Sequence, residues 1–376
     1  MIEPQFFVEE VKKRGTEFFT GVPDSLLKAL CAYITDSVDS EHHIIAANEG
    51  NAVALGCGNY LATSRIPLVY MQNSGEGNAV NPLLSLADGD VYQIPVLLVI
   101  GWRGEPGKAD EPQHKKQGKV TLSLLEAMGI PYQVLSEDGE EAKTQIATAY
   151  ASMEDGLSPY ALIVRKNLFA EYTLKNGVQP TGVMSREDAI DCVVSKAPAS
   201  AIFVSTTGMA SRELYEIREK NAQSHESDFL TVGSMGHSSQ IALGIALVRK
   251  DRQVYCLDGD GATLMHLGGM AIIGSKKPKN YCHIILNNGA HDSVGGQPTV
   301  GRDVVLVQVA LALGYDSAVQ VSTKKELEAA LEEKTSGLRC IEVLVKKGNR
   351  KDLGRPKSTP IENKHAFMHY IAEDSK

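Results

Sequence analysis

The residues of this chain best suited to chemistry begin with Gly259-Asp260-Gly261 and the pair Asn287-Asn288. The triplet follows an apolar run, Arg252 to Leu257, that reads as a buried strand. Glycines on both sides of Asp260 let the backbone turn and approach a ligand without a Cβ in the way. A helix from Ala262 to Ser275 would then open with its free N–H groups facing an anion. Asp260 would repel a phosphate unless a cation sat between them, and the hard, oxygen-loving cation most often shared with phosphates is Mg2+. A second apolar run, Tyr281 to Leu286, delivers the asparagine pair to the same sheet edge. An amide oxygen there is a neutral second ligand, and a backbone carbonyl just beyond it a third. The stretch therefore reads as a combined diphosphate and metal site, with Gly259, Asp260, Gly261, Ala262 and Asn288 as its candidates.

Glu49 opens a stretch of small residues, NEGNAVALGCGNYLAT, directly after the strand-like run His43 to Ala47. An acid in such a close-packed crevice loses water, which raises its pKa and lets it share a proton with a basic nitrogen. A charge stabilised at a helix N-terminus is the other reading, and Glu49 alone leaves both open. The polar stretch from Arg103 to Lys119 reads as a loop and gathers Arg103, Lys108, His114, Lys115, Lys116 and Lys119. It could supply charge to an anionic substrate, or remain a solvated surface.

Positioning these residues requires strands that end at a common edge. Short apolar runs alternate with amphipathic stretches: His43 to Ala47, Leu68 to Met71, Pro95 to Ile100, Tyr132 to Leu135 and Tyr160 to Val164, with a second series from Ala201 to Ser205. This βα rhythm predicts an α/β chain of two related, doubly wound parallel-sheet domains. Glu171 to Gly182 is polar, with Gly and Pro and no periodicity, and Ser185 to Asp188 resembles a capping box opening a helix. The expected division is 1–170, a linker 171–184, and 185–376. A formal charge of −8 and a pI near 5.7 disfavour nucleic acid as a partner. Six scattered cysteines without a CxxC pair point to buried thiols rather than bridges or metal ligands. No apolar run approaches the ~20 residues that span a bilayer. With no signal-like N-terminus, the expectation is a cytoplasmic protein that does not enter membranes.

The GDG triplet, followed after an apolar strand by NN, resembles the thiamine diphosphate motif. Glu49 with its surroundings resembles the pyrimidine-binding domain of thiamine diphosphate-dependent decarboxylases. Further matches are GVPDSLLK (Gly21 to Lys28), GEGNAVNPLLSLADGDVYQIPVLLVI (Gly75 to Ile100), GWRGEPGKADEPQHKKQG (Gly101 to Gly118), TTGMASREL (Thr206 to Leu214), GSMG (Gly233 to Gly236) and NNGAHDSVGGQPT (Asn287 to Thr299). The resemblance covers nearly the whole chain. It implies thiamine diphosphate and Mg2+ as cofactors, a pyrimidine-binding domain at 1–170 and a diphosphate-binding domain at 185–376. Asp260, the Asn288 side chain and the Ala290 carbonyl would hold the metal. Glu49 would contact the aminopyrimidine, Met209 after Gly208 would wedge the cofactor into a bent shape, and Gly233, Ser234 and Met235 would let the backbone approach it.

The resemblance further makes Asp24, in the GVPDS turn, a candidate for proton transfer, and His114 is a second. Ser25, Arg103, His291 and Ser293 are the candidates for holding substrate. The family's larger members carry a third domain between the two halves, which is absent here. That departure implies the compact group acting on phosphonopyruvate or sulfopyruvate. Phosphonopyruvate is the expected substrate, because sulfopyruvate enzymes more often resemble two half-length subunits. The products would be carbon dioxide and phosphonoacetaldehyde, in phosphonate biosynthesis. Active sites in the family lie between subunits, so a homo-oligomer is expected. A carboligase of the acetolactate synthase type and a non-catalytic diphosphate-binding module are the competing readings.

Overall fold

Twelve apolar runs form strands in the computed structural model, which describes residues 1–177, 182–333 and 337–372. Residues 178–181 of the expected linker lie outside the described residues. In chain order the strands are β1 (Phe19–Gly21), β2 (His43–Ile45), β3 (Leu68–Gln72), β4 (Leu97–Gly101), β5 (Tyr132–Val134) and β6 (Tyr160–Val164). They continue with β7 (Ile202–Ser205), β8 (Asp228–Leu230), β9 (Val254–Gly259), β10 (Tyr281–Asn287), β11 (Ser317–Val321) and β12 (Arg339–Leu344). They make two six-stranded sheets, ordered β2-β1-β3-β4-β6-β5 and β11-β12-β10-β9-β7-β8, with parallel pairing throughout. The second order, read from its other end, repeats the first strand for strand. The chain divides into two units, Met1–Gly177 with His291–Pro298, and Val178–Ala290 with Thr299–Lys376.

Each sheet is covered on both faces, and the sequence shows why. The central strands β4 (LLVIG), β6 (YALIV) and β10 (YCHIILN) are buried at every position, which demands near-continuous apolar runs rather than alternation. In the first unit Leu97 and Val99 enter one core cluster, Leu98 and Ile100 the other. In the second, Leu257 and Ile284 lie in one cluster, Cys256 and Ile285 in the other. All six cysteines are buried free thiols. No described helix is long and apolar enough to cross a membrane.

Two local expectations are corrected. The helix expected over Ala262 to Ser275 starts earlier, at Asp260, and is broken into Asp260–Met265 and Gly268–Lys276. β9 runs straight into it through an extended Gly259, so Gly259-Asp260-Gly261 is a strand-to-helix junction rather than a turn. The break falls at His266-Leu267, just before Gly268-Gly269, whose helix propensity is weak, and Gln240 Nε2 donates to the Gly269 carbonyl at 3.0 Å. The second correction concerns Arg103 to Lys119, which is a loop only as far as Glu111. Pro112 opens a helix, Pro112–Ala127, that carries His114; proline's fixed φ and missing N–H suit a first helical position.

Candidate functional site

In the first unit, Glu49 is the first residue of the helix Glu49–Thr63, capped by Asn48, whose side chain accepts from Gly50 N–H. Its carboxyl is 5 % exposed. Asn78 Nδ2 donates to Glu49 Oε2 at 2.8 Å. Burial pushes the Glu49 pKa up, and the Asn78 hydrogen bond only partly opposes it. Gly75 makes room for this acid, because a Cβ there would lie 2.5 Å from Glu49 Oε1.

A second cluster forms where β1, β3 and β4 end. Asp24 is fully buried, accepting from Leu26 N–H at 2.9 Å, from Ser25 Oγ at 3.4 Å, and from Gln72 Nε2. Gly101 at the end of β4 must lack a side chain, since a Cβ would sit 2.1 Å from Asp24 Oδ2. Arg103 Nη1 donates to Ser25 Oγ at 2.7 Å, while its Nε and Nη2 pair with Asp110. Buried His114 lies in the field of Arg103, Asp110 and Asp24; desolvation and Arg103 lower its pKa, which favours the neutral imidazole, and Nδ1 lacks a hydrogen-bond partner among the described residues. Asp24, Ser25, Arg103 and His114, scattered in sequence, are thus neighbours. Gln72, Asn78 and Asp110 were missed as site residues, although Asn78 and Asp110 stand inside stretches quoted for the resemblance.

In the second unit the corresponding edge carries oxygen atoms and glycines. Asp260 is 2 % exposed, and burial lifts its carboxyl to about 6 against hydrogen bonds from Thr299 and the backbone at Asn288 and Gly261. Thr299 Oγ1 donates to Asp260 Oδ2, and a Cβ on Gly301 would lie 2.4 Å from that oxygen. The Asn288 Oδ1 accepts from Ala290 N–H at 3.0 Å, with both residues buried beside Gly289 at φ 67°. Asp258 props the strand end: Oδ1 accepts from Gly259 N–H at 3.0 Å and Oδ2 faces His283 Nε2 at 3.3 Å. Gly208 precedes Met209 with φ 95° and ψ −133°, a conformation essentially restricted to glycine. Met209 is half-buried at the start of its helix, Met209–Lys220. Gly233 has φ 69°, Ser234 φ 48°, and Gly233 N–H reaches Thr207 Oγ1 at 2.9 Å; Met235 is half-buried.

This edge fits a diphosphate and a divalent cation. Thr206 Oγ1, Thr231 Oγ1, Thr263 Oγ1 and His266 Nε2 are buried without a hydrogen-bond partner among the described residues, and phosphate oxygens would satisfy such donors. A buried carboxylate, an amide oxygen and a carbonyl form a hard-cation donor set. The remaining candidates, His291 and Ser293, fall in the segment His291–Pro298 grouped with the first unit; His291 is half-buried and Ser293 exposed.

Family models match both halves of the chain. Residues 4–124 match the thiamine pyrophosphate enzyme N-terminal TPP binding domain, and 204–343 the C-terminal TPP binding domain. The chain is 32% identical to a phosphonopyruvate decarboxylase of Streptomyces viridochromogenes over 95% of this chain and 92% of that one. It is 30% identical to the phosphonopyruvate decarboxylase of Streptomyces hygroscopicus, over 96% of this chain and 91% of its relative. A sulfopyruvate decarboxylase of Methanosarcina acetivorans is 27% identical over 91% of each chain, so a single full-length chain does not by itself separate the two activities. Relatives of this kind use thiamine diphosphate, with Mg2+ as the usual metal, and are carboxy-lyases. The chain belongs to the thiamine pyrophosphate enzymes, in the decarboxylase group that includes these relatives.

Proposed function

We propose that this chain decarboxylates 3-phosphonopyruvate to phosphonoacetaldehyde and carbon dioxide. The observation that carries this reading is the 32% identity to a phosphonopyruvate decarboxylase over 95% of the chain. Within this reading, residues 1–170 are the pyrimidine-binding domain, 185–376 the diphosphate-binding domain, and 171–184 the linker. The unit pairing of Glu49 and Asp260 is completed between subunits of a homo-oligomer. Bound thiamine diphosphate supplies the electron sink that decarboxylation of a 2-oxo acid requires.

The roles of the protein groups follow from their surroundings. Asn78 Nδ2 donates to Glu49 Oε2, which leaves Oε1 as the oxygen that would share a proton with a ring nitrogen, and burial raises the carboxyl's pKa toward that task. Asp260, Asn288 Oδ1 and the Ala290 carbonyl would hold Mg2+. Gly208, Gly233, Ser234, Met235, Gly259, Gly261 and Ala262 would let the backbone approach the cofactor, and Met209 would pack against it. Asp24 and neutral His114 handle the proton that replaces carbon dioxide. Arg103 and Ser25, with His291 and Ser293, bind the anionic substrate.

The test is direct. Protein supplied with thiamine diphosphate, Mg2+ and phosphonopyruvate should release phosphonoacetaldehyde; turnover of another oxo acid with no aldehyde from phosphonopyruvate would sink the assignment. Sulfopyruvate is the second reading, favoured by the full-length Methanosarcina relative, and parallel assays of both acids decide between them. A ketol in place of the aldehyde would indicate a carboligase. Assembly is checked by dilution: a confirmed monomer that keeps full turnover contradicts sites shared between subunits.

A further inference from the structure

We infer that Asp110 is a positioning residue for substrate recognition, fixing Arg103 so that the outer edge of its guanidinium, beside the Ser25 hydroxyl, grips the anionic group of the 2-oxo acid. This rests on the reading of Arg103 as the substrate's cation.

The geometry leaves Arg103 little freedom. Asn73 holds its backbone on both sides, Nδ2 donating to the Arg103 carbonyl at 2.8 Å and Oδ1 accepting from Arg103 N–H at 3.2 Å. Asp110 holds the side chain: its Oδ2 accepts from Arg103 Nε and from Gly104 N–H, both at 2.8 Å. Its Oδ1 accepts from Arg103 Nη2 and from Glu111 N–H, the latter at 2.7 Å. Each carboxylate oxygen therefore takes two donors, which fills its capacity. Asp110 is built into the loop and is not a stand-in that a substrate anion displaces. Burial alone would raise its pKa, but Arg103 and the two backbone N–H groups outweigh that and hold the carboxyl well below the usual range.

What remains on Arg103 defines the seat. Of five guanidinium N–H donors, Asp110 takes Nε and one on Nη2, and Ser25 Oγ takes one on Nη1 at 2.7 Å. Among the described residues, one N–H on each terminal nitrogen is left for an oxyanion. Asp110 offsets much of the Arg103 charge, so this edge selects by a fixed pair of donors more than by field strength. Ser25 also reaches Asp24 Oδ1 at 3.4 Å, so one hydroxyl separates the anion seat from the buried acid. That spacing suits a short acid with its anionic group close to the reacting carbons.

Asp110→Asn tests the inference, because it keeps the shape while turning one acceptor into a donor aimed at the guanidinium. The KM for phosphonopyruvate should rise about tenfold or more with kcat within about threefold, the signature of lost substrate binding. Affinity for thiamine diphosphate and Mg2+ should stay at the parent level. Arg103→Ala should also raise KM, and added guanidinium ion should restore activity where Asp110 stands but not in the double variant with Asp110→Asn. If Asp110→Asn fails to retain cofactor, Asp110→Glu carries the same test, since it keeps the charge and moves the carboxylate by one methylene. An unchanged KM in the Asp110 variant, or guanidinium rescue that persists without Asp110, overturns the positioning role. An unchanged KM in Arg103→Ala overturns the reading of Arg103 itself.

Discussion

The two units share one strand order, yet corresponding strand ends carry different chemistry. After β1 comes buried Asp24, and after its counterpart β7 come Gly208 and Met209. Beyond β2 stands Glu49; beyond β8 stands the glycine-rich Gly233 to Gly236. β4 leads to Arg103, whereas β10 leads to Asn288 and Ala290. The first unit thus offers buried ionisable side chains held by amides and hydroxyls, which the proposed function uses for proton transfer and anion recognition. The second offers glycines, hydroxyls without partners among the described residues, and a buried carboxylate with an amide oxygen, which the proposed function uses to hold the cofactor. A parallel fold fixes where side chains are delivered, and the few residues past each strand decide what is delivered.

The comparison is broken most sharply by Glu49→Gln. Turnover should fall about 10²- to 10⁴-fold, the usual range for a general acid–base group, while thiamine diphosphate still raises the unfolding temperature. Loss of cofactor binding instead would move Glu49 to the second unit's kind of role. Asp260→Asn should do the reverse, raising the Mg2+ concentration for half-maximal activity about 10- to 100-fold, with turnover largely recovered at saturating metal. Unaltered Mg2+ dependence would remove Asp260 from the metal site. Met209→Ala should lower kcat about tenfold through cofactor misplacement, and Met209→Leu should restore most of it. Equal loss in both variants would mean that packing at this helix start, rather than a bulky wedge, is what matters.

Most of the sheet framework was legible because strands buried on both faces must be nearly all apolar, and Tyr160 to Val164 stands in the structure with the bounds read from sequence. Short strands carried less signal. Three-residue β1 and β8 gain their stability from their neighbours, and the early run at Phe19 could not be read as a strand alone. The delivery of Asp260 and Asn288 to adjoining strand ends was legible from their order around an apolar run, as was the burial of Glu49 from its small neighbours. Helical His114 was not, because the cations around it mimic a loop and only Pro112 signals the helix. Asp110 and Gln72 were invisible for another reason: they act through partners far away in sequence or across a loop, Gln72 reaching Asp24 and Asp110 closing back on Arg103.

Glu76 sharpens the contrast with the smallest expected effect. It follows β3, as Asp260 follows β9, and both carboxyls are buried. Asp260 has Thr299 and backbone N–H partners, whereas Glu76 Oε1 has none among the described residues. Burial lifts Glu76 from 4.5 to about 8. Below about pH 4.5 the group is protonated folded or unfolded and costs nothing. From there to about pH 8 the folded protein keeps a proton that the unfolded chain has released, so stability falls as pH rises and the loss is complete above the folded pKa. Glu76→Gln removes the titration but leaves a buried amide short of partners, a cost of about 1–3 kcal/mol that offsets much of the gain. The variant should match or trail its parent at pH 4.5 and exceed it at pH 8.5, by on the order of 1 kcal/mol or about 2 °C in Tm. Calorimetry of the cofactor-free protein across that window measures it. A difference between parent and variant that does not change with pH would show that Glu76 ionises as freely in the fold as outside it, and that the end of β3 is wetter than its burial implies.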